Sequence, residues 1–177
     1  MHEFEQSIYT KEILNFHFPR YNELPNIELY MDQVINFIED NLKIFSANEK
    51  EKIITSSMVN NYVKQGLVSP PNKKKYTKHH IAYIIVVCIL KQILSISEIC
   101  ELIKIQINTY PIEDAYDYFA DKLEEALKIA FIDKPEKTEH KNNGYEARII
   151  RLATKSFANK IFLQKYLLYI HNEEKNN

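Results

Sequence analysis

A chain of 177 residues that is 45% apolar and 12% aromatic has enough material for a core, which excludes wholesale disorder and fits one domain, or a small domain with a helical appendage. Only two glycines occur, and tight hairpins lean on glycine, so long helices are expected instead. The formal net charge of -1 hides a strong asymmetry: 52–97 contains no Asp or Glu but seven lysines, whereas 113–125 sets six acids against Lys122 alone.

Residues 1–25 form an aromatic-rich arm. Phe4, Ile8, Ile13, Leu14, Phe16, Phe18 and Tyr21 are available to clamp it onto a core, with a helix near 10–16 that Pro19 and Pro25 keep short. Asn26 is placed to cap a helix over 28–43, where Leu29, Met31, Val34, Ile35, Ile38 and Leu42 recur at three- and four-residue steps. Ser46-Ala-Asn-Glu49 reads as a capping box, opening a turn that carries Ile53 and Ile54 inward.

Thr55, Ser56 or Ser57 then caps a short helix ending near Gln65. Its Met58, Val59, Tyr62 and Val63 are spaced to face inward, and Ser57, Asn60, Asn61 and Lys64 to face outward. Gly66 is the expected left-handed stop. Pro70-Pro71 imposes an extended corner, and Asn72 to Tyr76 leaves room for two very short strands and a turn. Thr77 caps a helix over 78–93 that is apolar nearly all round and therefore central to the core.

Ser95-Ile-Ser-Glu98 is a second capping box, for a helix ending near Ile107. The next helix starts at Thr109 and Pro111, with an apolar stripe from Ile112 to Ala130 and acids on its other side, read as a solvated face. A polar break over 133–144 is the candidate linker. The last helix, 145–171, is apolar on more than one face, so it must cover both its own core and something else, a second copy of the chain being the simplest.

Cys88 and Cys100 lie in apolar helical runs and read as buried, reduced thiols. The start of the chain lacks a basic stretch followed by an apolar one, so no signal peptide is expected. The ten-residue apolar run 81–90 is short of the roughly 20 that cross a bilayer. These features predict a cytoplasmic protein without a membrane partner. Adjacent His79 and His80 point about 100° apart and cannot readily share a metal, so both read most simply as surface histidines. No metal site, cofactor site or catalytic constellation stands out, so the chain is not expected to be an enzyme.

The order of elements over 55–104 resembles the DNA-binding half of MerR-type winged helix-turn-helix regulators. The matching features are Tyr62, Gly66-Leu67-Val68-Ser69-Pro70, Lys73 to Lys75, Tyr76-Thr77 and Ser95-Ile96-Ser97-Glu98-Ile99. The string Ser57 to Lys64, with Pro70-Pro71, the lysine run and His79-His80-Ile81-Ala82-Tyr83, is more similar still to the bacterial family called domain of unknown function 1836. The resemblance implies a mainly α fold with a very small β wing, and double-stranded DNA as partner. It departs from MerR proteins in placing Ser57, Asn60 and Asn61 where arginines are common, and no effector domain is expected after the helical region.

The resulting expectation is a transcriptional regulator with an arm (1–25), a winged helix-turn-helix (26–108) and a C-terminal helical region (109–177) that makes a homodimer. Ser57, Asn60, Asn61, Lys64, Lys73, Lys74, Lys75, Tyr76 and Lys78 are the candidate DNA contacts, amides for base edges and lysines for phosphate. The rival expectation is a protein-interaction module on the same scaffold without DNA binding. A third is a small-molecule pocket between the acidic helix and the last one; the sequence names no effector.

Overall fold

A computed structural model describes residues 2–46, 51–132 and 144–176. Among these the chain is mainly helical: α1 (His2–Glu5), α2 (Ile8–Leu14), α3 (Met31–Leu42), α4 (Ser56–Lys64), α5 (Lys78–Leu90), α6 (Ile96–Thr109), α7 (Ile112–Ile132) and α8 (Tyr145–Asn176). Among the described residues, isolated antiparallel bridges stand in place of two short strands, Leu29 with Tyr76 and Asn72 with Lys75. The proposed capping box through Glu49 and the linker over 133–143 lie outside the described residues.

Two compact units emerge, Pro19–Ala120 and a second made of Met1–Phe18 with Asp121–Asn177. These boundaries differ from those drawn at 25 and 108. The chain turns from one unit to the other just before Pro19, and α7 contributes residues to both.

In the unit 19–120, α5 is the centre. Ile81, Ala82, Ile84, Ile85, Val87, Cys88, Ile89 and Leu90 are all buried, and full burial of each large one stabilises by about 1.5–3 kcal/mol. Val34, Ile38 and Leu42 of α3, Val59 and Tyr62 of α4, and Ile99, Leu102 and Ile103 of α6 complete the core. Burial pushes the Cys88 thiol up to about 12, so it stays a thiol. Cys100 is only half-buried, unlike the expectation, and both cysteines are free.

Helix α3 begins three residues later than the apolar rhythm suggests. Leu29 is extended and exchanges two hydrogen bonds with Tyr76, its N–H donating to the Tyr76 carbonyl at 2.9 Å and the Tyr76 N–H to its own at 2.8 Å. Helix geometry resumes once the Tyr30 N–H is taken by the Gln33 side chain at 2.9 Å. The acidic stripe of α7 is not simply a solvated face. The Asp117 carboxylate accepts the backbone N–H of Tyr21 at 2.7 Å, because an extended segment must find acceptors outside itself.

In the other unit, Phe4 is 2% exposed and its ring meets those of Phe131, Phe162, Tyr166 and Tyr169 at centroid distances of 5.2–6.2 Å. Glu124 plays the part of Asp117 here, accepting the Phe18 N–H at 2.8 Å. Ala147, Ile150, Ala153, Phe157, Ala158 and Ile161 form the buried face of α8.

The end of α4 is set by Gly66 at φ +74°. Its N–H donates to Val63 O at 3.1 Å and the Leu67 N–H to Tyr62 O at 2.9 Å, the bond pair of a Schellman stop. A Cβ at Gly66 would meet nothing within 4 Å, so only backbone conformation opposes a side chain there. Gly66→Ala is expected to lower unfolding free energy by about 1 kcal/mol, and Gly66→Asn by less; urea denaturation checks the order.

Candidate nucleic-acid interface

The Thr55 hydroxyl accepts the Met58 N–H at 3.3 Å and starts α4 one residue after the buried Ile54. With Val59 and Tyr62 turned into the core, Ser57, Asn60, Asn61 and Lys64 are all exposed on the opposite side. These groups supply amide donors and acceptors, a hydroxyl and a cation, with no acid among them. Asn61 and Gln65 also border an open cleft of about 530 Å³ whose other wall is the start of α6, from Ile96 to Lys104.

The basic loop is a two-residue turn. The Lys75 N–H donates to Asn72 O at 2.8 Å, with Lys73 at φ 47° and Lys74 at φ 64°. Left-handed conformation at both central positions is the type I′ geometry usually served by Asn-Gly. Lys73 and Lys74 are exposed at its tip. Lys75 is half-buried with its ammonium 5.7 Å from the centroid of Tyr30, and Lys78 likewise 5.3 Å from that of Tyr21.

Tyr76 does not belong to the exposed surface. It is 3% exposed, pinned by its bridge to Leu29 and lying edge-on to His80 at 5.7 Å. Tyr30, at 52% exposure, stands beside the turn instead, next to the Lys75 ammonium. The sequence rhythm folds this segment into a helix and gives no sign of its pairing with Tyr76. Lys91, one of the seven lysines of the acid-free stretch, is an internal tie: its ammonium donates to Ile53 O at 2.7 Å.

His80 is 9% exposed, so the pair at the start of α5 is not a surface pair. Its Nδ1 lies 3.0 Å from the Thr77 N–H and 2.7 Å from the Thr77 hydroxyl, and its Nε2 lies 3.1 Å from the Ser69 hydroxyl. A backbone N–H can only donate, so Nδ1 is unprotonated and Nε2–H points to Ser69. One neutral imidazole thus caps α5 and anchors the corner after α4. His79 is exposed, its Nδ1 3.1 Å from the Tyr21 hydroxyl.

Among the described residues no cluster of His, Cys, Asp and Glu is placed to hold a metal, and no helix is long and apolar enough to cross a membrane. The space between α7 and α8, lined by Lys122, Ile129, Arg151 and Asn159 among others, encloses about 30 Å³. That is the room of about one water.

The pattern of a family described as a domain of unknown function, DUF1836, matches residues 19–119, more than half of the chain. The chain belongs to the DUF1836 family. The DUF1836 segment coincides, within one residue, with the compact unit Pro19–Ala120. No curated protein and no solved structure matches the chain.

Two predictions concern groups beneath this surface. The Tyr62 hydroxyl is buried and finds no hydrogen-bond partner among the described residues. Tyr62→Phe is therefore expected to leave stability unchanged or raise it by about 1 kcal/mol, measured by thermal unfolding; a loss would mean the hydroxyl has a bonded role. Burial chiefly holds the His80 pKa below its ordinary value, against opposing hydrogen bonds. The unfolded chain therefore binds this proton at higher pH than the folded one, and the stability His80 confers is complete above about pH 6.5 and lost as pH falls below it. His80→Gln keeps an acceptor for the Thr77 N–H, so the variant's urea midpoint should fall less between pH 7.5 and 5 than the parent's.

Proposed function

We propose that the DUF1836 unit is a MerR-like winged helix-turn-helix that binds double-stranded DNA. Helix α4 serves as the recognition helix in the major groove and the 72–75 turn as the wing on the phosphate backbone. The observation that carries this reading is the distribution of chemistry on one acid-free stretch. Ser57, Asn60, Asn61 and Lys64 share the exposed side of α4, and Lys73 and Lys74 stand at the tip of a tight turn. Exposed amides suit adenine edges and phosphates alike, and cations supply affinity that does not depend on sequence.

Lys75 and Lys78 act with the tyrosine rings beneath them. An ammonium held over a ring keeps most of its water and remains available to a phosphate from the outer side. Tyr30 joins this edge as an exposed phenol beside Lys75. Tyr76 does not contact DNA in this reading; it holds the base of the wing. The free thiols Cys88 and Cys100 accord with a reducing, cytoplasmic setting.

The test separates charge from turn geometry. Lys73→Asn with Lys74→Gly removes both tip cations and installs residues that favour the left-handed conformation. Stability is expected to rise by about 1 kcal/mol. In fluorescence titrations with genomic fragments, the slope of log K against log salt should flatten by about 2 per bound chain. An unchanged slope removes the wing from the interface. Absent or salt-insensitive binding by the parent protein favours a protein-interaction module instead, using the aromatic arm and the C-terminal helix for partners.

A further inference from the structure

Helix α8 carries a second apolar face directly opposite the buried one. Tyr145, Leu152, Leu163 and Ile170 are 76%, 55%, 59% and 37% exposed. Together with exposed Ser156 and Asn159 they follow one another at steps of seven, four, three, four and seven residues. Steps of three, four and seven keep side chains on one face of a helix. The series also reads the same in both directions about a point midway between Phe157 and Ala158.

That symmetry has a structural meaning. When two copies of such a face meet antiparallel about a two-fold axis at its midpoint, each position meets its mirror position. Tyr145 meets Ile170 of the second chain, Leu152 meets Leu163, and Ser156 meets Asn159. An isologous contact requires this self-complementarity. The polar pair falls at the centre, where a hydroxyl and an amide can hydrogen-bond across the axis and fix the register, as a single polar residue does in coiled coils.

Charge favours the antiparallel arrangement over the parallel one. The first half of α8 carries Arg148, Arg151, Lys155 and Lys160 against Glu146, whereas 161–174 carries Lys165 against Glu173 and Glu174. Parallel pairing would superpose four cations on four. Antiparallel pairing about the midpoint instead sets Arg148 and Arg151 against Leu167 and Gln164 of the other copy and leaves Lys155 against Lys160 as its like-charged pair. Leu167, 66% exposed, widens the apolar strip. Five large side chains of this kind on each copy, at roughly 100 Å² apiece, reach the ~1,000 Å² at which a specific interface begins.

We infer that the exposed face of α8 is a homodimer interface, antiparallel and centred between Phe157 and Ala158. It lies outside the DUF1836 segment and does not rest on the DNA reading. A monomer would overturn it while leaving DNA binding by 19–120 untouched.

Sedimentation equilibrium of the full chain at roughly 10–100 µM is expected to give the mass of two chains. Leu152→Glu alone and Leu163→Lys alone should each weaken self-association at least about 10-fold, with far-UV circular dichroism unchanged because both leucines are exposed. The two substitutions together should restore the dimer, since the new carboxylate at 152 meets the new ammonium at 163 of the other copy. A parallel pair would set like charges together at both positions and stay apart. A one-chain mass for the parent, single variants without effect, or a double variant that remains monomeric would each overturn the proposal.

Discussion

Helix α5 has almost no surface to offer water, and that constraint organises the unit around it. A helix buried on every side cannot be orientated by an amphipathic stripe, so its position is fixed at its ends and by what surrounds it. At the start, Thr77 and His80 close the first turn, and the far nitrogen of the same imidazole reaches Ser69. At the finish, Lys91 donates to the Ile53 carbonyl just before α4. The segment containing α4 is therefore tied to both ends of the most deeply buried helix. Its inner residues, Val59 and Tyr62, can be few because the ties do much of the positioning.

The same ties redistribute charge. Seven lysines lie in the acid-free stretch, but Lys91 is spent on a carbonyl, and Lys75 and Lys78 rest over tyrosine rings. The exposed cations of that stretch are Lys52, Lys64, Lys73 and Lys74. The acids of α7 are redistributed too. Asp117 and Glu124 accept backbone N–H groups of Tyr21 and Phe18, bonds to a charged acceptor that each contribute about 1.5–3 kcal/mol. Charge segregation along the sequence thus reflects two uses, a cationic surface on one segment and anchors for an extended arm on another.

Much of this was legible in the sequence, and the unreadable parts share a cause. The helices, the Thr55 and Ser95 caps, the Gly66 stop and the outward set Ser57, Asn60, Asn61 and Lys64 follow from spacing and local chemistry. These are rules that act within one turn of chain. The unreadable features are non-local. Leu29 fits a helical rhythm, but its pairing with Tyr76 holds it extended and buries a tyrosine that looked like part of a basic loop. His80 looks like a surface neighbour of His79 until Ser69, eleven residues earlier, arrives at its other nitrogen. The division at Phe18 and Pro19 likewise depends on which distant residues the arm meets, not on its composition.

The turn at Lys73 and Lys74 shows how competing terms are resolved. Left-handed backbone costs an ordinary side chain about 1–2 kcal/mol per residue, and two successive residues adopt it here although asparagine and glycine would do so more cheaply. Neither lysine gains burial in return, since both are exposed. A lysine at the tip of a type I′ turn is, however, carried away from the helices that precede and follow it. On the proposed reading that projection is where a cation is worth most, because release of counterions from DNA rewards each charge that reaches a phosphate. Burial of Tyr76 at the base of the same turn offsets part of the conformational cost, at about 2 kcal/mol for a large side chain. The base holds the turn in place by packing, and the tip keeps its charge in solvent.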